Sequence, residues 1–197
     1  MAALSIAGRH IMRGLRRRSA AFAAGCLFAA GIPAGQAPAD GAPEAQLRSL
    51  IGTTSQAFAG LDDALGLKDQ PGVAAANAAC ATRGTCSVGN ALDDLKAIAG
   101  AVHDEIQQHR SDETRLGDAF TQPAVALLLQ VLQALPAWTA LAHSSPLLHA
   151  DPALAQKWAG TRQACLGALR AAVDYVKFSG GATQQAEALL GSGAAAP

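Results

Sequence analysis

PAVALLLQVLQALPAWTALA, residues 123–142, is apolar on nearly every face when wound as a helix, and the charge-free run that contains it covers residues 119–142. A run of that length can cross a bilayer. Against a span, Gln130, Gln133 and Pro136 lie inside it and no basic residue stands at its start. The segments around it read as amphipathic helices that need an apolar surface to cover. The run is therefore expected to be the central buried helix of a bundle, with Pro123 in its first turn behind Thr121 and Pro136 kinking it.

On the N-terminal side, Leu47, Ile51, Thr54, Phe58, Leu61 and Leu65 recur at alternating spacings of four and three, with Leu50 widening the stripe. That spacing predicts a helix over residues 43–65 with one face in a bundle seam, capped by Gly66. A second stripe, Leu92, Leu95, Ala99, Val102, Ile106 and His109, predicts a helix starting near Asn90. A short amphipathic segment over 112–120, capped by Ser111, should follow. On the C-terminal side, Asp151 and Pro152 form a helix start, and Leu154, Trp158, Cys165, Leu169, Ala172 and Val176 line one face until Ser179-Gly180-Gly181. A last short helix is expected over 183–190 and a flexible tail over 191–197. β-branched residues are sparse and no alternating apolar and polar run marks a strand. The fold class is all-α, an antiparallel bundle of about four main helices with short peripheral ones.

The first 39 residues differ in kind. Arg9, Arg13, Arg16, Arg17 and Arg18 precede an uncharged stretch over 19–39 that is rich in Ala and Gly. A basic region, an apolar core, Pro33 and the small-residue triplet Ala37-Pro38-Ala39 make a signal peptide over 1–39, cleaved before Asp40. The apolar run before Pro33 is short for a retained anchor. Two variants stay open. Ala23-Ala24-Gly25-Cys26 resembles a lipoprotein processing box with Ala where Leu is usual, and Arg17-Arg18 fits the twin-arginine export route in part. A linker over 40–44 then leads into the bundle domain, 45–190. The destination is periplasmic or extracellular.

Export alters the charge balance. Five of the 15 basic residues lie in the leader and all 15 acidic ones lie beyond it, which leaves the remainder at −5. An acidic domain without a basic cluster is unsuited to phosphate backbones or anionic membranes, so nucleic acid is excluded as a partner.

Export also bears on CATRGTC, residues 80–86. In an oxidising compartment close thiols pair, and Arg83-Gly84 permits the turn, so a Cys80–Cys86 disulfide is expected, with loop closure contributing about 2.4 kcal/mol. A bridge from this loop to Cys165 is the alternative pairing, and a zinc site would need a fourth ligand and a tighter knuckle.

Signals for chemistry are few. Glu105, His109 and Glu113 recur every four residues, and on one continuous helix they could hold a divalent metal. His103, His143 and His149 are isolated candidates, and Cys165 on an apolar stripe reads as a small buried side chain more than a nucleophile. Asp62-Asp63 and Asp93-Asp94 read as solvated pairs. Arg48, Lys96, Arg162 and Arg170 are scattered, and no nucleophile elbow, phosphate loop, dinucleotide fingerprint or haem attachment occurs. No cofactor is expected. Trp138 and Trp158, on helices that should be neighbours, are placed to line an apolar pocket. The expectation is an exported binding protein, not an enzyme, whose apolar third and fourth helices take an envelope protein or a small apolar ligand. Self-association into a homodimer is kept open beside it, and a metal-binding bundle and a cell-wall enzyme are the alternatives.

Overall fold

The computed structural model describes residues 42–66 and 86–194. The leader with Cys26, and Cys80 with most of its loop, lie outside those residues. Six helices and no strand occur among the described residues: α1 Ala42–Leu65, α2 Val88–Ser111, α3 Asp118–Ser144, α4 Pro146–Ala150, α5 Pro152–Phe178 and α6 Gln184–Ala194.

The stripes read on the first two long helices enter the core, apart from His109, which is half-buried. On α1, Leu47, Ile51, Thr54, Phe58, Leu61 and Leu65 are all buried, as are Leu92, Leu95, Ala99, Val102 and Ile106 on α2. Each large side chain so placed contributes about 1.5–3 kcal/mol of apolar transfer free energy. The helix ends obey local chemistry. Asp151 accepts from the backbone N–H groups of Ala153 and Leu154 at the start of α5. Gly66 (φ 71°) ends α1 in the left-handed conformation, and Gly180 (φ 90°) does so after α5. Gly181 then packs so closely that a Cβ there would lie 2.7 Å from Thr121 Cγ2 and collide with Val176.

Several boundaries differ from expectation. Ser87, not Asn90, caps α2, and its hydroxyl accepts from the N–H of Asn90. Ser111 is the last residue of α2 rather than a cap, and its hydroxyl donates to the Gln107 carbonyl. The segment expected over 112–120 is a turn leading into α3, which begins at Asp118 and places Pro123 beyond its first turn. Pro146 starts the one-turn α4, which the sequence reading did not name. The helix α6 runs on to Ala194, into the expected tail.

The four long helices touch in a ring: α1 on α2, α2 on α5, α5 on α3, and α3 on α1. Registers between neighbours give their directions. Arg48 donates to the Cys86 carbonyl at one end of the α1/α2 pair, and Asp62 senses Glu105 toward the other, so α1 and α2 run parallel. Thr161 Oγ1 donates to the Leu92 carbonyl at 3.2 Å, and His109 stacks on Tyr175, so α2 and α5 are parallel too. Only α3 runs against its neighbours, with Trp138 on Thr54 and Leu127 on Gly60. The expected antiparallel bundle is thus corrected to three helices in one direction and one opposed. Residues 66–87 separate α1 from α2, and a connection of that length can span back along a 24-residue helix.

The expectation of a central buried α3 is also corrected. A third of its most apolar 18-residue window is buried. Ala124, Leu128, Val131, Leu132, Leu135 and Trp138 face inward, while Phe120, Gln122, Ala126, Gln130, Gln133, Pro136, Ala137 and Ala140 face out. By length and composition α3 could cross a membrane. The helix α5 is more enclosed than α3, with a buried set that includes Thr161, Cys165, Leu166, Leu169, Ala172, Val173, Tyr175 and Val176.

Candidate functional site

Two tryptophans join α3 and α5 to α1. The Trp138 and Trp158 rings lie with centroids 4.1 Å apart at 33°, both buried. Each indole N–H is satisfied. Trp138 Nε1 donates to Thr54 Oγ1 at 3.1 Å, and Trp158 Nε1 donates to the Trp138 carbonyl at 3.1 Å. Thr54 in turn donates to the Leu50 carbonyl at 2.7 Å. Satisfied donors are what let two large, partly polar rings sit in the core.

Beside this pair a half-open pocket of about 390 Å³ lies between α3, α4 and α5. Its wall on α5 comprises Ala155, Trp158, Ala159, Arg162 and Gln163, at positions that share one helix face, completed by Thr139 and Ala142 of α3 and Leu148 of α4. Ala142, Ala155 and Ala159 are the reason for the space, since larger side chains there would fill it. Of the two predicted pocket residues Trp158 lines this volume, while Trp138 backs it through the ring stack. Among the lining residues Arg162 carries the charge, and Thr139 and Gln163 supply neutral polar groups. The pocket is within the size range of small-molecule sites and shares their mostly apolar lining.

The other candidate residues are separated. Glu105 and His109 lie on α2, but the helix stops at Ser111 and Glu113 follows it at φ 54°, off their face. His109 leans on Tyr175 of α5, with ring centroids 6.3 Å apart. Glu105 acts on Asp62 of α1, whose carboxyl is pushed up to about 6, first by burial and then by the charges of Glu105 and Asp63. Asp62 is thus half-buried and not one of a freely solvated pair. No group of three His, Cys, Asp or Glu side chains suited to a metal ion occurs among the described residues. His103 pairs with Asp104 at 3.1 Å, and His143 Nδ1 lies 2.8 Å from the Thr139 carbonyl. Asp93 pairs with Lys157 between α2 and α5.

Cys165 is a free, buried thiol that burial pushes up to about 12, which removes it as a nucleophile near neutral pH. Cys86 packs half-buried against the core ahead of α2. Compared with protein-family models, curated proteins and solved structures, the chain matches none.

Sequence reasoning missed Arg162, Leu148 and the alanines of the pocket wall. The available signal was Ala155, Ala159 and Arg162 sharing a face with Trp158, small residues one turn apart beside a large ring.

Proposed function

We propose that this chain is an exported helical-bundle protein that binds a small apolar ligand in the pocket between α3, α4 and α5. The observation that carries the reading is the pocket itself, an apolar volume of about 390 Å³ with a tryptophan edge in its wall and alanines where filler would be expected. The basic and apolar leader over 1–39 supports export, and an oxidising destination supports a Cys80–Cys86 disulfide ahead of α2. Binding rather than catalysis is favoured, because the lining offers the Thr139 hydroxyl no histidine or carboxylate as a base and Cys165, the thiol on α5, is held protonated.

The test is titration with N-phenyl-1-naphthylamine, a neutral apolar probe whose emission rises on leaving water. Wild-type protein should bind it saturably. Ala159→Leu keeps helix propensity and fills the pocket, so it should weaken binding at least about tenfold, the loss of 1.4 kcal/mol, with the far-ultraviolet circular dichroism unchanged. Equal binding by both proteins would place the probe elsewhere and sink the reading.

A further inference from the structure

We infer that the end of the bundle away from the pocket is a docking surface for an acidic segment of a partner protein, whose carboxylates meet Arg110 and Arg115 and whose apolar side chains lie against Phe120. The surface centres on Phe178, the last residue of α5, about 22 Å along that helix from Gln163 of the pocket. Arg110 reaches the Phe178 ring from the last turn of α2 and Arg115 from the turn before α3, with guanidinium carbons 5.8 Å and 4.8 Å from the ring centre. The turn that delivers Arg115 is fixed. The N–H groups of Glu113 and Thr114 donate to the carbonyls of Arg110 and His109 at 3.1 Å and 2.9 Å, and Glu113 takes the left-handed backbone that closes α2. Leu116 is buried, and its N–H donates to Ser179 Oγ at 3.0 Å. Among the described residues neither guanidinium has an ion pair, although Asp112, Glu113 and Asp118 flank Arg115 in the chain and Asp174 stands one turn before Phe178. Stacking on a ring uses the guanidinium face and leaves its N–H edge for carboxylates. Two such cations on one ring, in a domain whose net charge is negative, favour an acidic partner over a basic one. Phe120, 44% exposed beside Gly117 at the start of α3, adds an apolar contact, and arginine and aromatic side chains are enriched at protein interfaces. A phosphate backbone or an anionic bilayer needs a wider cationic surface than two arginines.

The experiment is fluorescence anisotropy of a rhodamine-labelled peptide of alternating glutamate and leucine, titrated with the full exported chain at pH 7 and low salt, beside a peptide of alternating lysine and leucine. The acidic peptide should bind saturably and at least about tenfold tighter than the basic one. Arg110→Gln and Arg115→Gln should each weaken it about threefold, the size of an exposed charge pair, and the two together about tenfold. Arg110→Glu combined with Arg115→Glu should reverse the preference between the peptides. Phe120→Ala should weaken the glutamate and leucine peptide and leave hexaglutamate unchanged. Arg110, Arg115 and Phe120 are exposed, so these variants should fold, with far-ultraviolet circular dichroism as the check. Acidic-peptide binding that survives loss of both arginines places the peptide elsewhere and overturns the proposal, as does equal binding of the two peptides or none by either. Displacement of the acidic peptide by an equal concentration of tripolyphosphate would assign the arginines to a small oligoanion and overturn the protein partner. The naphthylamine titration reads the pocket at the other end of α5, so the two readings fail separately.

Discussion

The hydrogen bond from Trp138 to Thr54 ties the odd helix of the bundle, α3, to α1, and its worth can be measured. Trp138 is 1% exposed and Thr54 3%, so neither group can turn to water if the other is removed. Thr54→Val keeps shape and deletes the acceptor, leaving a buried indole N–H unpaired, which should cost about 1–3 kcal/mol. Trp138→Phe deletes the donor and part of the ring stacked on Trp158, and a core truncation of this kind should cost about 2 kcal/mol or more. In the double variant no donor is stranded. The two losses should therefore fail to add, with the double variant about 1 kcal/mol more stable than their sum. Loss of the stack to Trp158 is common to both backgrounds and cancels. The assay is urea unfolding of all four proteins followed by far-ultraviolet circular dichroism, which does not depend on tryptophan emission, with unchanged slopes as the check on two-state behaviour. Each 1 kcal/mol should also move Tm by about 2–4 °C in a protein of this size. Additivity within about 0.3 kcal/mol would show that the bond carries no net energy, and would refute the claim that it secures α3.

Two further outcomes follow from burial. Asp62 has its pKa raised from the ordinary 3.8 to about 6, so the folded state binds the proton more tightly than the unfolded chain. Its contribution is present below about pH 4 and is lost as pH rises toward about 6, on the order of 1 kcal/mol after allowing for partial exposure. Asp62→Asn should raise stability at pH 7 and flatten that part of the profile, and an unchanged profile would contradict the burial argument. Cys165, buried with its thiol pushed up, should resist iodoacetamide in the native protein and take up one equivalent in denaturant. Labelling of native Cys165 would refute its enclosure. The proposed export and disulfide have a separate test, intact mass, whose expected outcome is a chain starting at Asp40 with one alkylated thiol and one disulfide.

Much of the secondary structure was legible because it follows from local rules. The apolar spacing on α1 and α2 named their core residues, and the Asp151-Pro152 start and the glycines at 66 and 180 marked helix ends through capping and left-handed backbone, which neighbouring residues alone dictate. Less local features were misread. A charge-free run such as 119–142 carries no polar face from which its outward side can be read, and only packing turns Gln122, Gln130, Gln133 and Pro136 outward.

The sequence by itself determined that the chain is helical, which stripes are apolar, and that Glu105 and His109 share a helix. Only the tertiary structure decided that α2 lies parallel to both α1 and α5, that Glu113 leaves the face of its presumed co-ligands, and that Ala142, Ala155 and Ala159 meet around a space bounded by Trp158, Leu148 and Arg162. The physical reason is the same in each case. A stripe specifies that a face must be covered but not by which helix or in which direction, and a pocket is what remains where small side chains from separate helices face one another.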